Sequence, residues 1–191
     1  AAPGALIKAA LVHVQFETIH PFLDGNGRVG RLLIALLLHH DGVLRQPLLY
    51  LSLYFKQNRA DYYRLLDAVR TTGDWESWLD FFLTGVRDTG SAAVETAHRL
   101  LALFETDTET IQDVGRSAGN ILRVFHTLRR RPVATIDYLA DASGVSYATA
   151  VRAVRTLTEI GLLRELTGRR RGRVFAYDRY LVILSEGAQP L

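Results

Sequence analysis

The sequence predicts a mostly α-helical fold in which β-structure is confined to a short hairpin in the last third. Apolar residues recur at helical spacing through most of the first 115 positions, and nothing in that stretch requires a sheet. Residues 142–145 read Ala-Ser-Gly-Val, a short glycine-containing turn between two helical patterns. Two short β-like segments, 162–165 and 173–177, flank a basic stretch. These patterns predict two domains, 1–114 and 115–191.

The composition is that of a globular protein. Of 191 residues, 48% are hydrophobic and 23% are charged. No stretch reaches the roughly 18 consecutive apolar residues of a membrane span, and the start lacks the pattern of a secretory signal. We therefore expect a cytoplasmic protein with no membrane partner. The absence of cysteine excludes disulfides, thiolate metal sites and cysteine nucleophiles.

The beginning of the sequence is unusual. The chain opens on Ala1-Ala2-Pro3 and contains no methionine, not even an initiator. We expect N-terminal sequence to be missing.

Two helices are predicted around residues 20–31. The first covers residues 4–18; a strand is the alternative because Val12, Val14 and Phe16 alternate, but the length and alanine content favour a helix that Pro21 ends. The second runs from Gly27 or Arg28 to about residue 40 and ends at Gly42.

Further helical patterns continue to about residue 113. They cover residues 50–56, 59–69, 74–86 and 91–113, with Asn58 and Asp74 as predicted N-caps of the second and third.

The last third predicts a winged helix-turn-helix. Helices are expected over residues 120–128, 135–142 and 146–160, the last two capped by Thr135 and Ser146, before the basic hairpin. Arginines are concentrated here although the net charge of the chain is only +3. This module could bind DNA through residues 146–155 and 169–173, dock a protein or form a homodimer, and the sequence leaves these alternatives open.

Residues 20–31 carry the main concentration of reactive groups. They read His-Pro-Phe-Leu-Asp-Gly-Asn-Gly-Arg-Val-Gly-Arg. The glycine-rich turn opens a helix, whose free N–H groups and dipole favour an anion. Arg28 and Arg31 lie one turn apart and are expected to face the same direction, which suits a di- or triphosphate.

Three other fingerprints overlap in this loop and fail on their context. The G-x-G-x-x-G pattern from Gly25 to Gly30 would need a preceding strand, and a P-loop would need Lys and Ser/Thr where Arg31 and Leu32 stand. A calcium loop would need Glu where Ala35 stands. A plain turn with solvated arginines would explain each residue singly, but the combination favours a site.

The window resembles the motif of the Fic family, H-x-F-x-[D/E]-G-N-G-R-x-x-R, at every defined position. The similarity extends over roughly the first 110 residues and includes Tyr62-Tyr63 and residues 75–83. Members of the family are all-helical and mostly transfer AMP from ATP to a hydroxyl side chain of a target protein. Members that transfer phosphate depart from Gly-Asn-Gly-Arg, which this chain keeps, so the resemblance implies a protein adenylyltransferase.

The resemblance also implies a role for each residue of the motif. His20 would be the general base for a Tyr, Ser or Thr hydroxyl, either of a target protein or of the chain itself. Asp24 would hold Mg²⁺, and Phe22 would be buried as an anchor of the loop. The residues expected to contact ATP are Gly25, Asn26, Gly27, Arg28, Arg31, Tyr62 and Tyr63. For the two tyrosines, core aromatics are an equally open interpretation. The alternative function is a DNA-binding regulator whose Fic-like part is inactive or senses a nucleotide.

Two features of many relatives are not recognisable in the sequence. An inhibitory helix of the form [S/T]-x-x-x-E-[G/N] has only partial matches, at residues 72–76 and 91–95, which Ser77 and Thr96 follow. A target-docking hairpin before the first helix is also not found. We expect both upstream of Ala1, and we expect the chain to bind nucleotide weakly or transfer AMP poorly without them.

Overall fold

The computed structural model describes residues 4–45 and 50–186. Within these ranges the helices are α1 Ala5–Ile19, α2 Asn26–His40, α3 Leu51–Gln57, α4 Arg59–Thr72, α5 Trp75–Gln112, α6 Ala118–Arg130, α7 Ile136–Ser143, α8 Tyr147–Glu159 and α9 Asp178–Ser185. The strands are β1 Val133–Thr135, β2 Arg164–Glu165 and β3 Val174–Ala176. The mostly α fold with a small sheet near the C-terminus is therefore confirmed.

The chain divides into two compact units. The first ends at Val94 and the second begins at Glu95, both within α5. The predicted domain boundary near residue 114 falls after the end of α5 and stays a prediction. No helix in residues 4–45 and 50–186 is long and apolar enough to cross a membrane.

The first unit packs α1 against α2 over an aromatic core. Phe55, Tyr62, Trp78 and Phe82 are almost fully buried. The indole Nε1 of Trp78 donates a hydrogen bond to the backbone oxygen of Ala10 in α1, at 3.2 Å. Because α1 is held by this core, the segment that follows it starts from a fixed position. The helical interpretation of residues 4–18 is confirmed over the strand.

The predicted caps in the first unit had different outcomes. Asp74 accepts a hydrogen bond from the backbone N–H of Ser77 at 3.1 Å, so it caps α5 as expected. Asn58 does not cap α4 through its side chain. Its amide instead donates to the backbone oxygen of Tyr54, at 2.9 Å, and satisfies a carbonyl at the end of α3. The short connection between α3 and α4 explains how one residue can serve either end.

The second unit is a winged helix-turn-helix, as predicted. Thr135 accepts from the backbone N–H of Tyr138, and Ser146 accepts from that of Thr149. The sheet has the order β1-β3-β2, with both pairs antiparallel and Phe175 opposite both Ala134 and Glu165. Strand β1 and helix α9 were not predicted. Strand β1 is short and forms only by pairing with β3, a contact that a local pattern does not encode.

Candidate active site

His20 occupies a strained position at the end of α1. Its φ and ψ are 50° and 56°, and it is the single non-glycine residue with positive φ in the described part of the chain. The left-handed conformation costs a residue with a Cβ about 1–2 kcal/mol. Its N–H donates to the backbone oxygen of Phe16 and closes α1. The exposed imidazole is thus placed by backbone geometry, at a type of position that is common in functional sites.

Asn26 holds the loop between the two helices together. Its side chain is buried; the amide nitrogen donates to the backbone oxygen of Phe22 at 2.5 Å, and its Oδ1 accepts from the backbone N–H of Phe22 at 2.9 Å. The prediction that Phe22 is buried and anchors the loop is wrong, because its side chain is 52% exposed and its ring lies 6.3 Å from that of Phe16. The amide of Asn26 replaces the aromatic ring as the anchor.

The N-terminus of α2 carries no side-chain cap. Gly25 stands before the helix with φ 82°, a conformation that glycine adopts without strain. The backbone N–H groups of Asn26, Gly27 and Arg28 have no hydrogen-bond acceptor among the residues that the structure describes. Because the only nearby amide side chain is turned back to Phe22, these N–H groups are available to an anion.

Asp24 and Arg28 lie at the exposed side of this turn. One carboxylate oxygen of Asp24 accepts from the N–H of Gly25 at 2.6 Å, and the other lies 3.4 Å from Nη2 of Arg28. The side chain of Asp24 is 93% exposed, so this ion pair holds it only weakly. Both oxygens therefore remain accessible to a cation.

The predicted Mg²⁺ site contains a single carboxylate, that of Asp24. No group of three or more His, Asp or Glu side chains in residues 4–45 and 50–186 could hold a metal ion. Mg²⁺ is commonly bound by one or two carboxylates together with substrate phosphates, not by a protein cage. One exposed carboxylate beside an anion-binding helix N-terminus fits that pattern, with the cation arriving on a nucleotide.

Arg31 lies one turn further along α2 and is partly buried. A Cβ placed on Gly27 would be 3.1 Å from Nη1 of Arg31 and 3.9 Å from Oε1 of Glu17. The guanidinium and this carboxylate therefore approach the first turn of α2 together. Burial raises the pKa of Glu17, while the positive charges of His20, Arg31 and Arg70 act in the opposite direction.

A cleft of about 360 Å³ opens beside His20. It is lined by Glu17, Thr18, His20, Tyr63, Leu66 and Arg70. Tyr63 is 56% exposed, with the guanidinium of Arg59 placed 5.6 Å from the centre of its ring. The structure thus brings Tyr63 to the same cleft as His20.

Tyr62 is directed into the core and not into the cleft. It is 3% exposed, and its hydroxyl shares a 2.9 Å hydrogen bond with Nε2 of His13. This departs from the expectation that Tyr62 lines a nucleotide pocket and agrees with the alternative that it is a core aromatic. Burial raises the pKa of Tyr62 and lowers that of His13 to about 4, so both side chains are neutral at pH 7.

Sequence reasoning missed Glu17 and Arg70 as parts of this site. Glu17 lies at helical spacing on the apolar face of α1. A carboxylate is unusual on such a face, and this could have identified Glu17 as part of a site. Arg70 donates to the backbone oxygen of Glu17 at 3.0 Å and to Oγ1 of Thr18 at 3.2 Å. It is some fifty residues away in sequence, so no local pattern could assign it to the site.

Comparison with known families gives two matches, one in each unit. Residues 1–38 match the Fic/DOC family, and residues 117–167 match the IclR helix-turn-helix domain. The first match contains α1, the loop and the larger part of α2; the second contains the helix-turn-helix and strand β2.

Curated relatives carry adenylyltransferase names. The chain is 32% identical over 110 residues to a protein adenylyltransferase from Caenorhabditis elegans, a match that covers 58% of the chain and 19% of that protein. It is 33% identical over 105 residues to a protein adenylyltransferase from Drosophila willistoni, covering 53% and 20%. A probable protein adenylyltransferase from Aquifex aeolicus is 54% identical over 37 residues, covering 19% and 12%. The chain therefore spans a fifth or less of the length of these relatives.

A solved structure supports the fold. A Fic family protein from Desulfovibrio desulfuricans G20 matches 93% of this chain and 50% of its own, with a TM-score of 0.50 and 23% identity. This likeness shows the fold. The resemblance to the Fic/DOC family rests on the match of residues 1–38 and on the intact motif from His20 to Arg31, and residues 117–167 match a helix-turn-helix domain.

Proposed function

We propose that this chain contains the catalytic core of a protein adenylyltransferase, which transfers AMP from ATP to a Tyr, Ser or Thr hydroxyl of a target protein. The observation that carries the proposal is the uncapped N-terminus of α2, where the free N–H groups of residues 26–28 lie in the same short segment as a strained, exposed His20. Such a helix end binds phosphates, and a histidine beside them can act on an incoming hydroxyl.

In the proposed reaction the hydroxyl oxygen of the target forms a bond to the α-phosphorus of ATP. The bond between that phosphorus and the oxygen bridging to the β-phosphate breaks, and pyrophosphate leaves with the electron pair. His20 accepts the proton of the hydroxyl on an imidazole nitrogen. Imidazole suits this step because it exchanges protons near neutral pH.

The other residues of the motif would bind and orient the triphosphate. The N–H groups of the first turn of α2 would hold the α- and β-phosphates, and Arg28 and Arg31 would bind the β- and γ-phosphates and stabilise the leaving pyrophosphate. Mg²⁺ held at Asp24 would neutralise phosphate charge. The exposed ring of Tyr63 would provide an apolar surface for the base of the nucleotide.

Radiolabelled ATP tests the reaction class. The chain, a cell extract as the source of targets, ATP and Mg²⁺ are incubated, with the label on either the α- or the γ-phosphate. We expect labelled protein, including the chain itself, only with the α-label. Protein labelled by γ-labelled ATP would show phosphate transfer and overturn the proposal. If ATP binds but neither label is transferred, the sensing alternative replaces it.

The second unit supports DNA binding as a second candidate function, because it contains arginines without ion-pair partners. Arg164 and Arg173 are engaged by Asp178 and Glu165, so Arg173 is less available to DNA than predicted. Arg169, Arg170 and Arg171 at the tip of the hairpin are exposed and form no ion pair with any described residue. Free cationic side chains beside a helix-turn-helix suit phosphate contacts.

A gel-shift titration in increasing salt tests this second function. Binding through phosphates predicts an affinity that falls steeply with salt, and Arg170→Ala should reduce the slope of log K against log salt by about 1. Arg64→Ala, an exposed arginine of the first unit paired with Asp61, is the matched control and should leave the slope unchanged. Absence of a salt-dependent shift would leave protein docking or dimerisation as the role of the module.

A further inference from the structure

Glu17 is a buried carboxylate with one oxygen, Oε1, that has no hydrogen-bond partner among the described residues. It lies in the last turn of α1 and is 9% exposed. Its Oε1 accepts no hydrogen bond from any residue that the structure describes. An unpaired buried carboxylate is costly, so it is uncommon at a position with no role.

The carboxylate of Glu17 lies directly against α2. A Cβ placed on Gly30 would be 2.6 Å from Oε1 of Glu17, and a Cβ placed on Gly27 would be 3.9 Å from the same oxygen. The absence of a Cβ at Gly30 allows the carboxylate to approach the helix this closely, whereas a Cβ at Gly27 would be in ordinary contact with it. The acidic group therefore lies against the same first turns of α2 whose free N–H groups are proposed to bind the phosphates.

Arg31 reaches the same place from the other side. Its Nη1 lies 3.1 Å from the Cβ position of Gly27, yet the guanidinium forms no ion pair with a described residue. Arg70 of α4 is also near Glu17, and it already donates to the backbone oxygen of Glu17 and to Thr18. The neighbouring Tyr62 is neutral and bonded to His13. Arg31 is thus the arginine beside this carboxylate whose side chain forms no hydrogen bond or ion pair with a described residue.

We propose that Glu17 is a positioning residue that binds the guanidinium of Arg31 from the α1 side and directs its outer N–H groups at the phosphates of the nucleotide. A guanidinium has five N–H donors in a planar fork, so it can bind a carboxylate on one edge and phosphate oxygens on another. Once paired with the carboxylate, the guanidinium would present its remaining N–H groups in a fixed direction. The inference rests on the proposed function, since it assigns a support to one of its phosphate-binding groups.

Nucleotide affinity in a double-mutant cycle tests the inference. The dissociation constant of ATP with Mg²⁺ is measured by calorimetry for the wild type, Glu17→Gln, Arg31→Ala and the double variant. We expect Glu17→Gln to weaken ATP binding about tenfold in the wild-type background, because a charge-assisted hydrogen bond is lost. In the Arg31→Ala background the same substitution should have no effect. Glu76→Gln, an exposed glutamate in the first turn of α5, is the matched control.

The outcomes separate the inference from the proposed function. Equal weakening in both backgrounds would show a structural role for Glu17, and tighter ATP binding by Glu17→Gln would show that the carboxylate competes with phosphate; either result overturns the inference. If the wild type and Arg31→Ala bind ATP differently but Glu17→Gln binds like the wild type, only the inference fails. If the wild type binds no ATP, the proposed function fails and the inference with it.

A second substitution guards against misfolding of the glutamine variant. Glu17→Met keeps a similar volume and removes a buried charge, a change that is often neutral or stabilising. It should weaken ATP binding to the same extent as Glu17→Gln while the unfolding temperature stays at or above that of the wild type. Unchanged affinity in a folded Glu17→Met protein would also overturn the inference.

Discussion

The two units of this chain treat their buried and terminal polar groups in opposite ways. In the second unit Thr135 and Ser146 cap the helices that follow them, and the fully buried carboxylate of Asp107 accepts hydrogen bonds from Tyr177 and Arg179. In the first unit α2 has no side-chain cap, and Oε1 of Glu17 has no partner among the described residues. Satisfied groups stabilise a fold, whereas unsatisfied ones at a helix end are free to bind a ligand.

The difference shows where a ligand is expected in each unit. Around the first turn of α2, the first unit has backbone donors, the guanidinium of Arg31 and the carboxylate of Glu17 from α1, none of which is paired with a described residue, and this has a cost in stability. The second unit has its unpaired groups at the surface, as arginines at the tip of the hairpin. A small anionic ligand suits the first arrangement and an extended polyanion the second.

Replacement of His20 should give the largest effect, and it tests whether the catalytic base lies beside the N-terminus of α2. His20→Ala should lower AMP transfer about 10²–10⁴-fold, the usual contribution of a general base, while ATP still binds. Transfer of the α-label and calorimetric ATP binding are measured together. His40→Ala, an exposed histidine near the end of α2, is the control. Unchanged transfer by His20→Ala would exclude this histidine as the base.

The buried His13 should make the first unit sensitive to acid. Burial lowers its pKa from about 6.5 to about 4, so the unfolded chain binds a proton that the folded chain resists. Stability from this group is therefore complete above pH 6.5 and falls by about 3 kcal/mol as the pH approaches 4. Glu17, whose pKa is raised by burial, acts in the opposite direction and offsets part of the loss.

Denaturant unfolding between pH 7 and pH 4.5 measures this dependence. His13→Gln removes the titrating group and should flatten the curve below pH 6.5, provided that the variant is folded at pH 7. Equal slopes for the wild type and His13→Gln would show that other groups control the acid response.

Gly30 tests the close approach of α1 and α2. A Cβ on Gly30 would lie 2.6 Å from Oε1 of Glu17, 3.1 Å from Phe16 and 3.2 Å from His13. Gly30→Ala should therefore destabilise the chain by about 1–3 kcal/mol, the usual cost of overpacking. Gly90→Ala is the matched control within α5, where nothing lies within 4 Å, and it should stabilise slightly. Thermal unfolding that ranks the two variants alike would contradict the described packing.

Removal of the N-cap of α8 should have the smallest effect on stability. It should leave the proposed nucleotide site unchanged. Ser146→Ala removes the acceptor for the N–H of Thr149 and should cost about 1 kcal/mol in the free energy of unfolding. ATP affinity should be unchanged, because the second unit uses this helix end internally. Ser91→Ala, exposed inside α5, is the control. A loss of ATP binding with Ser146→Ala would break the contrast between the two units.

The loop motif and the helix pattern could be predicted because both are local. Twelve consecutive residues contain the proposed base, the carboxylate, the proposed phosphate-binding turn and both arginines, and α1 and α2 follow from spacing and from Pro21. The predictions for Phe22 and Asn58 were wrong where another partner was available, and of the two interpretations of Tyr62 the structure agrees with the core aromatic. The amide of Asn26 binds the backbone of Phe22, the amide of Asn58 binds a carbonyl of α3, and the hydroxyl of Tyr62 binds His13.

By itself the sequence therefore determined the family resemblance, the order of helices and the identities of the groups in the motif. Tertiary structure decided which of these groups are free. The burial of Glu17 between α1 and α2 and the placement of Arg70 against the end of α1 depend on the packing of helices. The physical reason is that a spacing rule specifies which face a side chain occupies, whereas its charge, partners and accessibility depend on what packs against that face.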